Sequence, residues 1–329
     1  KFTLRETNLL MKLSIIIPFF NNSDQLIKLL KELERQVKSN NNFIEIIVVD
    51  DGSKTKEKNI IFNYIMENNI RIKFLIGKPG GVGKARNRGI EKSKGKYITF
   101  LDSDDFIGPK YVEGLLNDIF KHPADIIIYG FKKIFNKKVL LYKLPAEGNT
   151  NRERAIKDFF FQDSIGGYSC NKVFKRSVIN NERYPENTAY EDILFTFKTF
   201  LHSLKFYYSS GNYYEYIYRK DSISNTYTYK NLNDYHNAIK SVYSIGKKFL
   251  ENENELNKYL FLKELEINWK NFRFVGSNHI EIETMNRIRS LPMSTNDKIN
   301  YGRNLKEKLR ILIILYLPFP IKLLLHKHI

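Results

Sequence analysis

The sequence predicts an α/β fold, an open mixed sheet flanked by helices and continued by a C-terminal helical extension. Two observations carry this prediction. Short, almost continuously apolar runs at 13–19, 44–49 and 97–101 read as strands buried on both faces, and amphipathic helical patterns fall between them. Two of the runs end in acids, Val48-Val49-Asp50-Asp51-Gly52-Ser53 and Leu101-Asp102-Ser103-Asp104-Asp105. Acids at the carboxyl ends of parallel strands place ligand chemistry along one edge of an open α/β sheet.

The elements follow in order. Leu-Ser-Ile-Ile-Ile-Pro-Phe at 13–19 is the first expected strand, with Pro18 at its end because a proline inside a central strand forfeits a ladder hydrogen bond. Ser23 is the expected helix N-cap, and Leu26, Leu29, Leu30, Leu33 and Val37 recur behind it at helical spacing. The strand at 44–49 completes a β-α-β unit with a right-handed crossover. A helix at 56–67, a strand at 72–76, a glycine-rich turn opening a helix at 85–93 that Gly95 closes, and the strand at 97–101 come next. Past about residue 123 the alternation weakens. Strands are expected at 125–131 and 139–143, helices at 152–161 and 191–201, and an aromatic hairpin at 205–218 turning at Gly211. From 231 to about 289 the pattern is helical and polar. The expected organisation is an N-terminal arm at 1–10, a sheet domain at 11–228 with halves 11–123 and 124–228, a helical extension at 229–300, and a basic tail at 301–329.

Charge and cysteine usage bound the function. The 54 Lys+Arg outnumber the 36 Asp+Glu to give +18, which calls for an anionic partner: nucleic acid, a nucleotide-bearing substrate or anionic lipid. A single cysteine, Cys170, excludes an internal disulfide and a multi-cysteine zinc site. With no charged-then-apolar segment at the start of the sequence, the expected compartment is a reducing cytoplasm. In the tail, Arg303, Lys306, Lys308, Arg310, Lys322 and Lys327 face one acid, Glu307, around an apolar run at 311–321 that Pro318 and Pro320 interrupt. That run is shorter than the roughly 20 residues that span a bilayer. It fits a helix lying in the interface of an anionic membrane, the alternative being a helix docked on the core or on another subunit.

Several motifs bear on chemistry. Gly77-Lys-Pro-Gly-Gly-Val-Gly-Lys84 invites a phosphate-loop reading, but Lys78 and Ala85 stand where that signature needs glycine and a hydroxyl. What survives is a flexible turn with Lys84, Arg86 and Arg88 at a helix start, able to meet a nucleotide or simply to lie at the surface. At 102–105 three carboxylates crowd one strand exit and repel one another unless a cation sits among them, and a divalent ion bridging a diphosphate meets that need. Glu191-Asp192 opens a helix, where one acid caps and the other is available as a base. His122, His202 and His236 lack metal-ligand spacing, the tyrosines between 207 and 218 read as packing, and Trp269 as an anchor in a helix.

Taken together, Ser14-Ile-Ile-Ile-Pro-Phe-Phe-Asn21, Val48-Val-Asp-Asp-Gly-Ser53, Gly83-Lys-Ala-Arg-Asn-Arg-Gly-Ile90 and Leu101-Asp-Ser-Asp-Asp105 resemble the ordered motifs of the inverting family 2 glycosyltransferases over roughly residues 11–225. The resemblance implies a GT-A-type, Rossmann-like fold and transfer from a UDP-sugar to a glycan or lipid-linked glycan acceptor in bacterial cell-surface polysaccharide synthesis. It implies a Mn²⁺ or Mg²⁺ cofactor held by Asp104 and Asp102, the acids of a DXD motif. Nucleotide-sugar contacts would come from Pro18, Phe19, Asp50, Asp51, Lys84, Arg86, Asp102, Ser103 and Arg219, with Pro18-Phe19 and Asp51 flanking the uracil. Cys170-Asn-Lys-Val-Phe174 resembles a stretch lining the active-site floor, and Asp192, beside Glu191, resembles the family's base. Many relatives carry a histidine near the position of Arg219, and none stands there in this chain. Peripheral attachment to the inner face of the cell membrane through the tail is the expected location, with oligomerisation open. A basic nucleic-acid-binding protein and a non-catalytic glycosyltransferase-like scaffold are the alternatives.

Overall fold

The computed structural model describes residues 12–37, 42–68, 72–136, 138–179, 181–219, 222, 226–251, 253–301 and 305–316. The expected arm at 1–10 and the tail beyond residue 316 lie outside them. The chain divides into two compact units, Lys1–Arg219 and Lys220–Ile329.

The first unit is an α/β sheet domain. It runs β1 (Leu13–Phe19), α1 (Ser23–Val37), β2 (Ile44–Asp50), α2 (Thr55–Glu67), β3 (Ile72–Leu75), α3 (Gly81–Lys92), β4 (Tyr97–Phe100), β5 (Phe106–Ile107), α4 (Tyr111–Lys121), β6 (Ile126–Phe135), β7 (Lys138–Tyr142), β8 (Gly148–Asn151), α5 (Arg152–Phe161), β9 (Lys172–Lys175), α6 (Arg176–Ile179), α7 (Glu191–His202) and β10 (Lys205–Ile217). The sheet order is β3-β2-β1-β4-β9-β6-β10-β5, with β7 on β6 and β8 on β10. β3, β2, β1 and β4 are mutually parallel, as β-α-β crossovers require, whereas β9 joins β4 and β6 antiparallel. All seven residues of β1 are buried, which is why this strand reads as an unbroken apolar run. Pro18 pairs with Val49 of β2 but lies beyond Ile16, the last β1 residue in register with β4, so its missing N–H leaves that neighbour's ladder intact.

Three local expectations are corrected. The segment at 205–218 is one long strand rather than a hairpin: both halves pair with β6 in parallel, and the register slips between Ser209 and Tyr214. Gly211 serves that irregularity, since a Cβ there would lie 2.2 Å from the Tyr213 ring. Gly95 does not cap α3, which ends at Lys92 with Ser93 as C-cap. Its role is close approach, because a Cβ would sit 2.5 Å from Ser14 Oγ, the atom that accepts the Gly95 N–H at 2.8 Å. Finally, α3 starts at Gly81, so the glycine-rich stretch forms its first turn instead of preceding it.

The second unit is helical: α8 (Tyr229–Phe249), α9 (Glu253–Lys270) passing into a π-helical turn at Asn271–Val275, α10 (Asn278–Ser290), α11 (Thr295–Asn300) and α12 (Leu305–Tyr316). Thr228, Ser277 and Ser294 cap α8, α10 and α11 by accepting backbone N–H bonds. Helix α9 is packed by α8, α10 and α12, which explains its buried residues on every side, from Leu256 and Leu260 to Asn257 and Asn268. On α12, Ile311, Ile313 and Ile314 are buried, in a helix that packs on α9 and α11. Those three side chains serve the helical unit's own core, a correction to the expected interfacial helix for this part of the tail. No helix among the described residues is long and apolar enough to cross a membrane.

Candidate active site

Register alignment brings the exits of β1, β2 and β4 to one edge of the sheet: Phe19 pairs with Asp50, and Ile16 with both Ile47 and Phe100. The loops leaving those strands are laced together. Asn21 donates its N–H to Ser53 Oγ at 3.0 Å and accepts the Lys54 N–H at 2.8 Å, while Asn22 and Ser103 exchange side-chain hydrogen bonds of 2.8 and 3.1 Å. Ser103 thereby ties the β4 exit to the start of α1.

The two acids after β2 divide their labour. Asp50 is buried and accepts the N–H groups of Gly52 and Ser53 at 3.2 and 2.9 Å, so it shapes the turn in which Gly52 takes a φ of 81°. Asp51 is half-buried and accepts the Gly80 N–H at 2.9 Å. Burial pushes its pKa up, against the opposing backbone donors of Gly80 and Gly81 and the nearby charge of Lys84. Lys84 itself is exposed on the first turn of α3. Phe19 is corrected: its ring is in the core, so only its backbone is offered at the strand exit, and the exposed aromatic there is Phe20.

Arg86 is the hub. It is 5% exposed, donates to Glu191 Oε1 at 2.5 Å and to Asp102 Oδ1 at 2.7 Å, and lies over the ring of Tyr184, 5.3 Å from its centre. Burial opposes its charge, but Asp102 and Glu191 outweigh burial and hold the guanidinium firmly protonated. The resemblance put Arg86 against base or phosphates; the structure commits its two terminal nitrogens to carboxylates on α7 and at the β4 exit, so it fixes their separation. Asn87 anchors α3 beside it through reciprocal bonds of 2.9 and 2.8 Å with the Tyr184 backbone.

The β4 exit carries three acids in three settings. Asp102 has one oxygen on Arg86 and the other 3.4 Å from the Tyr214 hydroxyl. Asp104 pairs with Arg219 and remains partly exposed; burial and the charge of Asp102 raise its pKa, Arg219 opposing. Asp105 is buried, bonded by the Tyr214 hydroxyl and by the Ile217 N–H at 2.9 Å, and strongly raised by burial and by its two neighbours. It locks this exit onto β10. Among the described residues no three His, Cys, Asp or Glu side chains gather as a metal cluster.

At the start of α7, Glu191 is buried on Arg86, and burial raises its pKa. The next residue, Asp192, is half-buried, and its carboxylate receives no hydrogen bond among the described residues. Burial and the adjacent Glu191 push it up to about 7. Lys172 on β9 was not singled out by sequence. It is buried and donates to the carbonyls of Ile165 and Tyr168, both at 2.6 Å, and to Asn171 Oδ1 at 2.8 Å; burial lowers it to about 7. It stiffens the 165–171 loop under α7, and its field reaches Asp192. The presence of Lys172 in the floor motif 170–174 was the available signal; its buried setting was not.

Comparison with known proteins places this geometry in a family. Residues 14–182 match the model of Glycosyl transferase family 2, and the chain belongs to that family. It is 29% identical to the putative glycosyltransferase EpsH of Bacillus subtilis, over 77% of this chain and 72% of that one. Similarity also extends to two poly(ribitol-phosphate) β-N-acetylglucosaminyltransferases of Staphylococcus aureus. These are TarP, at 29% over 70% of this chain and 71% of TarP, and the longer TarS, at 26% over 71% of this chain but only 40% of TarS. The crystal structure of S. aureus TarS residues 1–349 in complex with UDP-GlcNAc superposes with a TM-score of 0.63 at 20% identity, covering 92% of this chain and 81% of that one. It shares the GT-A fold. The protein is a glycosyltransferase, and the nucleic-acid-binding alternative is set aside.

Proposed function

We propose that this family 2 glycosyltransferase moves a sugar from a UDP-sugar to a hydroxyl of a bacterial cell-surface glycan acceptor, with inversion and with Asp192 as the base. The carrying observation is the Arg86 strut. One guanidinium holds Asp102, on the donor side, and Glu191, whose neighbour Asp192 is the unbonded carboxylate raised to about 7. A base near the operating pH takes the proton of the acceptor hydroxyl as the new bond forms. Attack from the face opposite the diphosphate then inverts the anomeric centre. In this reading Asp51 would accept from the uracil N–H, Asp102 would meet the ribose, Lys84 and Ser103 would add nucleotide-sugar contacts, and Arg219 would meet the leaving diphosphate. The UDP donor is supported by the TarS complexes with UDP-GlcNAc and UDP, and a polymeric hydroxyl acceptor by TarS and TarP, whose names give poly(ribitol phosphate) as theirs.

This reading includes a divalent cation at the β4 exit. Burial, and after it the charge of Asp102, raises the Asp104 carboxyl against the opposing Arg219, and the hard oxygen donors of Asp102 and Asp104 suit Mn²⁺ or Mg²⁺. Asp104 and Asp102 would hold the ion, which supplies charge neutralisation at the diphosphate. A solved relative in fold, an archaeal mannosyltransferase, is described with GDP-Man and Mn²⁺. Calorimetry of UDP with and without Mn²⁺ tests the donor side: tight, metal-dependent binding is expected, and Asp104→Asn should abolish the metal dependence. Failure of UDP to bind in either condition would overturn the donor assignment.

A further inference from the structure

We infer that Tyr168 forms an acceptor subsite, an aromatic platform on which a cyclic sugar of the acceptor stacks beside Asp192. The inference names a contact of the acceptor and rests on the proposed function for Asp192. Sheet order separates the two substrates. Along β2-β1-β4-β9-β6, the exit of β2 with Asp51 lies on one flank of β4, and β9 lies on the other. Val173 of β9 pairs with Thr99 of β4, and Lys172 with Ile128 of β6. Because β9 is antiparallel to both, the loop that feeds it, 162–171, passes the edge at which β4 ends. Burial, and after it the charges of Asp102 and Asp105, push the Cys170 thiol up, as expected of a loop running beside that exit.

The loop is fixed to the helix that carries Asp192. Gly167 packs on the backbone of the next residue, Ile193, since a Cβ on Gly167 would lie 2.7 Å from Ile193 Cα. The Gly167 carbonyl also accepts the Thr196 hydroxyl of α7 at 2.9 Å. Lys172 holds the same loop from below. Burying an ammonium is costly, and all three of its donors are directed at this loop, to Ile165, Tyr168 and Asn171. Asn171 in turn donates to the carbonyls of Tyr129 and Ser164, both at 2.8 Å. The aromatic residue of this braced loop, Tyr168, is 42% exposed. Its ring stands edge-on to Phe131, with centres 5.4 Å apart, and Phe131 stacks on Tyr142 at 4.5 Å. A ring held this way loses little conformational freedom when a ligand covers it. The hydroxyls of a pyranose lie around its rim and leave C–H faces that are apolar and faintly positive, complementary to the negative face of an aromatic ring. A sugar stacked on Tyr168 would direct that rim, and so a hydroxyl, toward Asp192. An open-chain polyol has no such face.

Saturation-transfer NMR on the full chain with UDP and Mg²⁺ tests the subsite, with methyl β-D-glucopyranoside and methyl β-D-galactopyranoside as ring probes and ribitol as the open-chain control. At least one pyranoside should receive saturation on its ring C–H protons, and ribitol should not. Tyr168→Ala should weaken pyranoside binding about tenfold, the upper worth of one aromatic contact. UDP affinity and melting temperature should stay at the parent values, because the backbone carbonyl remains on Lys172. Tyr168→Phe keeps the ring and should bind like the parent. Tyr168→Trp, with a larger ring, should bind at least as well, and decides the matter if the alanine variant melts lower. Three results would each overturn the subsite: a parent that binds UDP but neither pyranoside, ribitol saturated as strongly as the pyranosides, or ring-bearing and ringless variants that bind alike. A parent that fails to bind UDP would instead strike the proposed function.

Discussion

Asp192 in the sheet unit and Glu266 in the helical unit are both half-buried carboxylates, and their surroundings drive them in opposite directions. Glu266 accepts from Lys270 at 2.6 Å, from the Tyr235 hydroxyl at 3.1 Å and from Lys263 at 3.2 Å, and the two lysines hold it down at about 2 despite burial. Asp192 has no such donors and a second acid beside it, and rises to about 7. In the same unit the fully buried Glu264 has His236 at 3.2 Å and Arg287 at 3.3 Å, yet neither of its oxygens accepts a hydrogen bond among the described residues. Glu266 is held down by the lysines that donate to it, whereas Asp192 is desolvated and left short of donors.

The comparison breaks most visibly at turnover. Asp192→Asn should lower the turnover number on the order of 10²- to 10⁴-fold while UDP affinity stays near the parent value. A product-release assay alongside calorimetry separates the two. If Glu191→Gln produces that loss and Asp192→Asn does not, the base has been assigned to the wrong neighbour. If neither changes a measurable rate, the scaffold reading gains ground. In the parent, the rate should fall about tenfold per pH unit below about 7, because the base must be unprotonated to accept.

Removing the strut comes next in size. Arg86→Met leaves Glu191, 6% exposed, without its counter-charge, and breaking one side of a buried ion pair costs about 3–5 kcal/mol. Urea denaturation should show that loss as a lower midpoint. Arg86→Met/Glu191→Gln should recover part of it, since the double change no longer buries an unpaired charge. Recovery would show that Arg86 serves the fold by neutralising acids that the site requires.

Much of the first unit could be read from the chain because its information is local. β1, β2 and β4 are buried on both faces and announce themselves as apolar runs, and the acids follow them directly in sequence. Helix α4 was equally local and was overlooked, although Val112, Leu115, Leu116 and Ile119 recur at helical spacing. Other features depended on partners far along the chain. Arg86 meets Glu191 across 105 residues, and nothing near Arg86 names that partner. The inward turn of Phe19 and the continuity of β10 through Gly211 are likewise set by neighbours in space: the core around β1, and the long β6 ladder. Residues 311–314 show the same limit, since an apolar stripe is identical whether it meets lipid or α9.

The smallest effect is a pair of opposite slopes in stability against pH. Asp192 has a folded pKa of about 7, above its ordinary 3.8, so the folded state favours its protonated form. Its favourable contribution is complete below about 3.8 and is lost as pH rises through 7. Asp192→Asn should therefore melt higher than the parent at pH 8, with the advantage shrinking to nothing near pH 4. Glu266 has a folded pKa of about 2, below its ordinary 4.5, so its contribution is present above 4.5 and disappears as pH falls toward 2. Glu266→Gln should melt lower than the parent at pH 8, by no more than about 1 kcal/mol because the carboxylate and its lysines are partly exposed. That deficit should close only in strong acid. Melting curves of the three proteins from about pH 2 to pH 8, which span both titration windows, decide the matter, provided the two units are followed by separate probes. Parallel slopes for the two variants would mean that donor supply does not distinguish these acids, and the assignment of Asp192 to chemistry would lose its electrostatic basis.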